Sequence, residues 1–337
     1  MKYTSSIHTY SWFAFFSFFA FLFFFAAFRP IGFDYDSIAY FQSIVDFYGG
    51  VYSINEPVFV FFSYLSQVYF NSSPRVVFVF YALISISMKL LCIYNKSVDR
   101  FLSVIIYLCV FYILHDLTQI RVGLASAFFL WALPDLIKSR KKVYLYKISL
   151  AFLCHFSAIL LVPLVFLSNN KWRPSIYLSL PLFSLLLVVG VTDLKGALLF
   201  IVSFLPGFLS SKATGYIIGV DLLGRFAEVN IFSKISLSAW GFYLLYAWAC
   251  SYLNKFSVHD NIYLKLFGVM LTIHYLFSPV PVLASRSFEL LSVSFIYSLP
   301  LIAEKFRPSF VIKLVIISWC LLYLCLVSLK LLNFEVW

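Results

Sequence analysis

Long apolar runs separated by short polar segments dominate this chain. Tyr10–Phe28 carries no charge, and about 20 apolar residues suffice for a helix to cross the hydrocarbon core of a bilayer. Further apolar runs fall at 76–94, 101–115, 118–137, 148–168, 175–192, 232–253, 260–278, 287–303 and 309–332. This pattern predicts an all-α polytopic membrane protein with about 10–11 transmembrane helices, because lipid leaves no other way to pair the backbone groups of so many runs. Val58–Phe70 and Ala197–Leu209 are shorter. Lengths of about 10–14 residues suit interfacial or re-entrant helices. No small-residue cleavage site precedes Arg29-Pro30, so the first run reads as a span rather than a signal peptide. The chain reads as a single transmembrane domain over 1–337, with no repeat, linker or soluble domain.

Composition agrees. Hydrophobic residues make up 63% of the chain, charged residues 12%, and mean hydropathy is +0.95. That balance excludes a soluble enzyme, a nucleic-acid-binding domain and a disulfide-stapled secreted module. The net charge of +11 reads as cytoplasmic loops collecting Lys and Arg. Lys138, Arg140, Lys141, Lys142 and Lys147 mark one inner loop, Lys89, Lys96 and Arg100 a second, and Lys305 and Arg307 a third; Lys2 starts the chain inside. The acidic segment with Asp34, Asp36, Asp46 and Glu56 then lies outside, provided that 58–70 runs along the outer surface. This first outer loop covers about 29–75. A second covers about 210–231 if 197–209 crosses, which also puts Lys171 and Arg173 outside. The inner cations are mostly lysines. The outer ones are arginines: Arg29, Arg75, Arg121 and Arg286, with Arg225 in the second loop. Outer arginine runs against the positive-inside trend, and its planar fork suits phosphate oxygens. The alternative is pairing with outer carboxylates. Cys92, Cys109, Cys154, Cys250, Cys320 and Cys325 lie in apolar stretches without C-x-x-C and read as small core residues.

Ionisable groups at membrane depth are functional candidates, because burying them is costly. Arg121 opens a span beside Gln119 and a run of small residues, Gly123, Ala125, Ser126 and Ala127, that permits close helix packing; its structural alternative is a pair with Asp116. His155 sits mid-span, where a core histidine bonded to a carbonyl is the alternative. Glu289 follows Arg286 by three residues, the spacing of a local helical pair. His8, His115, His259 and His274 have uninformative surroundings. Asp34 and Asp36 in Gly32-Phe33-Asp34-Tyr35-Asp36-Ser37 offer two carboxylates that would perturb each other across one cavity, a possible general base for a hydroxyl nucleophile. The alternative is a solvated turn with Asp36 or Ser37 capping a helix. Glu56 and Pro57 open the interfacial helix, with Glu56 at its positive end and Pro57 in its first turn. The histidines share no ligand spacing, and phosphate-loop glycines and a G-x-S-x-G elbow are absent, so neither a metal nor a cofactor is expected.

Several pieces occur together in order: Gly32, Asp34, Asp36 and Tyr40 in the outer loop; Glu56-Pro57-x-Phe59; Ile120-Arg121-x-x-x-Ala125; a basic inner loop; and Phe152-x-x-His155-x-Ser157-Ala158 leading to Pro163. This order resembles the EpsG-like branch of the O-antigen polymerase (Wzy) superfamily over about residues 1–170. Val122 and Val58 stand where that family often has Gln and Gly. The resemblance implies an inner-membrane glycosyltransferase of C-type all-helical architecture, acting at the periplasmic face without cofactor or metal. It would join oligosaccharide repeat units carried on undecaprenyl diphosphate, for an O-antigen, lipopolysaccharide or exopolysaccharide. The partners would be that glycolipid and membrane lipid, with a chain-length regulator left open. On this reading Arg121, Arg286, Arg29 and Arg75 bind the diphosphate, Asp36, Asp34 or His155 acts as base, and Glu56, Gln119 and Tyr40 are further site candidates. A related membrane transferase is the alternative, or a lipid-linked glycan flippase, which would ordinarily show paired repeats.

Overall fold

A computed structural model describes residues 3–51, 56–167, 169–190, 194–204, 206–207, 210–211, 214–215, 231–252 and 256–332. The described residues are helical; their one strand-like pairing is an antiparallel bridge between Asp34 and Leu332. Most of the second outer loop, with Arg225, and Asn55 lie outside the described residues.

The chain forms two compact units, the first from 1–134, 142–159 and 308–337, the second from 135–141 and 160–307. In the first unit, α1 (Tyr3–Phe28) runs until Arg29-Pro30 and packs along α4 (Pro74–Lys96). A proline forces the residue before it out of helical backbone, which sets this boundary. Between them lie two short amphipathic helices. α2 (Ser37–Tyr48) buries Ser37, Tyr40, Ile44 and Phe47, and α3 (Pro57–Tyr69) buries Phe59, Phe62, Ser63 and Ser66. Both sets follow the i, i+3, i+4, i+7 spacing of one helix face. Glu56 is the extended N-cap residue of α3 and Pro57 its first helical residue, as the sequence predicts. Asp36 caps α2 by position only: the Asp34 carboxylate accepts from the backbone N–H of Ser37 at 2.9 Å.

α5 (Arg100–Ile106) continues into a π-helix, Tyr107–Thr118, before α6 (Ile120–Ile137) begins. Its five-residue bonding closes with Gln119 N–H donating to the Leu114 carbonyl at 2.8 Å. π-Helical turns are rare and cluster at functional sites. Gly123 is required at this junction, because a Cβ there would overlap the His115 carbonyl. The 148–168 run is broken in two. α7 (Lys141–Cys154) stops before His155, and a 3₁₀ stretch, Phe156–Phe166, follows with Pro163 inside it. The last helix, Ser309–Leu326, is only 11% buried across its apolar window. It exposes Phe310, Leu314 and Leu322, the surface expected where lipid is the solvent.

In the second unit, Val258–Leu276 packs against Ser179–Gly190, Lys234–Tyr252 and Pro281–Ser292. Phe267 stacks between Tyr243 and Phe295 at ring separations of 5.8 and 5.0 Å. Gly268 lets the Tyr177 carbonyl approach to where a Cβ would sit.

Four described helical segments are long and apolar enough to cross a bilayer: Pro74–Lys96, Arg100–Thr118, Ile120–Ile137 and Ser309–Leu331. Pro281–Ser292 with Phe295–Lys305 makes a fifth if this pair, bent by 54°, is one span. The 148–168 and 175–192 runs appear as shorter helical pieces. Leu194–Val202 is too short to cross alone.

Three lysines read from the sequence as loop charges are not loop residues. Lys89 is fully buried in α4, 2.9 Å from Asp116. Asp116 also accepts from Ser85 and Tyr107, so its alternative role as the partner of Arg121 is excluded. Lys305 is buried 2.7 Å from Asp260. Lys147 lies 3.7 Å above the Trp131 ring and donates to its carbonyl. Each stem is held in apolar surroundings by one carboxylate, carbonyl or ring, which a hydropathy profile cannot anticipate. Five of the cysteines are buried, but Cys325 is exposed. His115 is fully buried inside the π-helix.

Candidate active site

α2, α3, α6 and the break after α7 bring together four residues that the sequence nominates separately. Glu56 is 1% exposed and bridges two partners. Its Oε2 accepts from Arg121 Nη1 at 2.5 Å, and its Oε1 lies 3.0 Å from His155 Nδ1. The Arg121 guanidinium lies over the Tyr40 ring at 5.0 Å and the Phe59 ring at 5.3 Å. These two faces, one from α2 and one from α3, fix the fork. The Arg121 side chain nevertheless keeps 25% of its surface open, and its Nε has no hydrogen-bond partner.

Local structure explains the convergence. Glu56 precedes the first turn of α3, where unpaired backbone N–H groups favour a carboxylate. Arg121 occupies the first turn of α6, just after the π-helix ends. His155 falls where α7 stops: its N–H donates to the Ala151 carbonyl, and its own carbonyl accepts from Ala158. Three helix ends therefore meet, and each contributes one charged or titratable side chain. Cys154 is buried next to His155 and within electrostatic reach of Glu56.

The other nominated residues fall elsewhere. Arg29 is 2% exposed and donates to the Asp34 carboxylate at 2.9 Å, to the Ala26 carbonyl at 2.5 Å and to the Leu117 carbonyl. Phe78 lies 5.2 Å beneath it. Arg29 and Asp34 are thus turned toward each other and toward the backbone. Asp36 is half-buried at the start of α2. Arg75 donates to the Arg29 carbonyl at 2.5 Å. Gln119 is buried at the π-helix junction, and its Oε1 has no partner. Arg286, in the second unit, is 3.4 Å from Glu289, the local pair that the spacing predicts.

Tyr81 is absent from the sequence-derived candidates, although it stands at this cluster, within electrostatic reach of Arg121, Glu56, Tyr40 and Cys154. Nothing in the sequence separates it from the other tyrosines. Among the described residues no three histidine, cysteine, aspartate or glutamate side chains gather closely enough to hold a metal ion. The cluster sets a fixed, partly open cation beside a carboxylate–histidine pair, an arrangement suited to an anionic leaving group and a hydroxyl nucleophile.

A family model for the EpsG family matches residues 12–336. No curated protein and no solved structure matches the chain.

Proposed function

The chain belongs to the EpsG family, and on that premise we propose that it is the polymerase that joins oligosaccharide repeat units carried on undecaprenyl diphosphate. The reaction would take place at the periplasmic face of the bacterial inner membrane. The observation that carries this reading is the Arg121–Glu56–His155 cluster.

A sugar hydroxyl of the acceptor attacks the anomeric carbon of the donor. The bond from that carbon to the diphosphate oxygen breaks, and the lipid diphosphate leaves. Arg121 meets the charge that develops on the leaving group, a role in which a preorganised cation is most effective. Its guanidinium is held in place by Tyr40 and Phe59, so it need not reorganise as the bond breaks. The proton of the attacking hydroxyl passes to the Glu56–His155 pair. Glu56 also orients the imidazole through the 3.0 Å approach to its Nδ1, leaving Nε2 for the incoming hydroxyl. Glu56 and His155 therefore take the role of base in preference to Asp34.

Arg121→Ala tests this reading. The variant should insert and accumulate, yet cells carrying it should lose the long-chain polysaccharide ladder on a gel. A normal ladder would remove Arg121 from the mechanism.

A further inference from the structure

Four buried tyrosines of this protein donate to a neighbour in the fold, each with a defined acceptor. Tyr107 donates to Asp116, Tyr112 to the Leu22 carbonyl, Tyr246 to Asp260 and Tyr243 to the Tyr177 carbonyl. Tyr81 departs from this habit. It is 1% exposed in the middle of α4, and its hydroxyl has no hydrogen-bond partner. Phe59 and Phe62 of α3 fix its ring at 6.5 and 5.3 Å. A hydroxyl buried without a partner destabilises the fold. The chain contains 41 phenylalanines, and a phenylalanine here would fill the same space without that cost.

The second orphan is the Nε of Arg121, also buried and without a partner. Tyr81 and this arginine pack against the same ring: Phe59 lies 6.5 Å from the Tyr81 ring and 5.3 Å from the guanidinium. Nε can only donate, and Tyr81 is free to donate. Both belong to one cluster, whose carboxylate, Glu56, is already engaged by Arg121 Nη1 and lies 3.0 Å from His155. Two vacant donors around a guanidinium suit an oxyanion better than a neutral hydroxyl.

We propose that the Tyr81 hydroxyl and Arg121 Nε together donate to a phosphoryl oxygen of the donor's diphosphate, making Tyr81 a substrate-binding residue. The inference rests on the polymerase reading above and extends it to a residue outside the sequence motifs. It carries an unusual signature, because the group that serves the ligand is a liability to the unliganded fold.

The test compares wild type, Tyr81→Phe and Arg121→Lys in lipid nanodiscs, with inorganic diphosphate as the probe and thermal unfolding measured alongside. Tyr81→Phe should raise the diphosphate Kd about tenfold, the loss of roughly one hydrogen bond to a charged group. Its Tm should be equal to or above that of wild type. Unchanged affinity in Tyr81→Phe, with Arg121→Lys weakened, overturns the role of Tyr81 and leaves the polymerase reading standing. A lowered Tm in Tyr81→Phe also overturns it, since the hydroxyl would then have a structural partner. If wild type binds diphosphate no better than sulfate, the diphosphate site and the reading it extends both fail.

Discussion

At the residue scale, the chain contains two kinds of buried charge. Lys89 and Asp116 show the first kind. The carboxylate has both oxygens filled by Lys89, Ser85 and Tyr107, and nothing about the pair is open to a ligand. A saturated pair of this sort costs little in place and a great deal when halved, since one desolvated charge is left without a partner. Lys89→Met should therefore destabilise the protein by about 3–5 kcal/mol, read as a fall in Tm in detergent. Adding Asp116→Leu to that variant should recover most of the loss. A single variant as stable as wild type would show that the Lys89–Asp116 contact does not hold the fold together. The second kind is Arg121: paired on one side, stacked on two rings and vacant at Nε. Both kinds read alike in a sequence, as a charge in an apolar run. Saturation by neighbours distinguishes structure from site, and only coordinates show it.

At the element scale, helix ends do the positioning. The N-terminal turn of α3, the first turn of α6 and the end of α7 carry Glu56, Arg121 and His155. The π-helix sets where α6 begins, and Gly123 lets its first turn approach the His115 carbonyl. Gly123→Ala should displace that turn, lowering stability by about 1–3 kcal/mol and reducing polymer formation together; an unchanged Tm and ladder would show that the junction tolerates a shift. A second element carries a pH signature. Asp99 caps α5 through the Leu102 N–H and lies 2.7 Å from Lys313. Partial burial pushes its carboxyl up, but the Lys313 ammonium and the Leu102 N–H outweigh burial and hold it below the ordinary value. A carboxyl depressed in the fold adds stability above its unfolded pKa of about 4, and loses that stability as pH falls through the folded value. The Tm advantage of wild type over Asp99→Asn should be constant near neutrality and shrink below about pH 4. An advantage that is the same at neutrality and at about pH 1 would mean the ion pair contributes nothing.

At the scale of the whole molecule, the proposed function depends on orientation in the membrane. The proposed chemistry needs the Glu56–Arg121–His155 cluster on the periplasmic side, and Asp36 and Ser157 lie at the start of α2 and just after His155, beside that cluster's own elements. Single cysteines at these positions, in a background lacking the native ones, should react with a membrane-impermeant maleimide from the periplasmic side. Labelling of D36C or S157C from the cytoplasm alone would place the proposed site on the wrong face. Of the lysines behind the predicted orientation, Lys89, Lys147 and Lys305 are buried. The run Lys138, Arg140, Lys141 and Lys142 and the exposed Lys96 still support it.

The sequence by itself determined the solvent and the class of fold. A chain that is 63% hydrophobic and 12% charged must satisfy its backbone inside helices, whatever the identity of each span. It also nominated Glu56, Arg121 and His155, because charge in an apolar run and proline at a helix start are local signals, and it nominated Tyr40 through the family resemblance. Tertiary structure decided which of the nominees meet. Glu56 and Arg121 are 65 residues apart in the chain and 2.5 Å apart in space, while Arg29 and Asp34, nominated on equal terms, close on each other. It alone exposed Tyr81, whose interest lies in a missing partner. Pairing and its absence are properties of neighbours, and in a bundle of helices the neighbours come from distant segments.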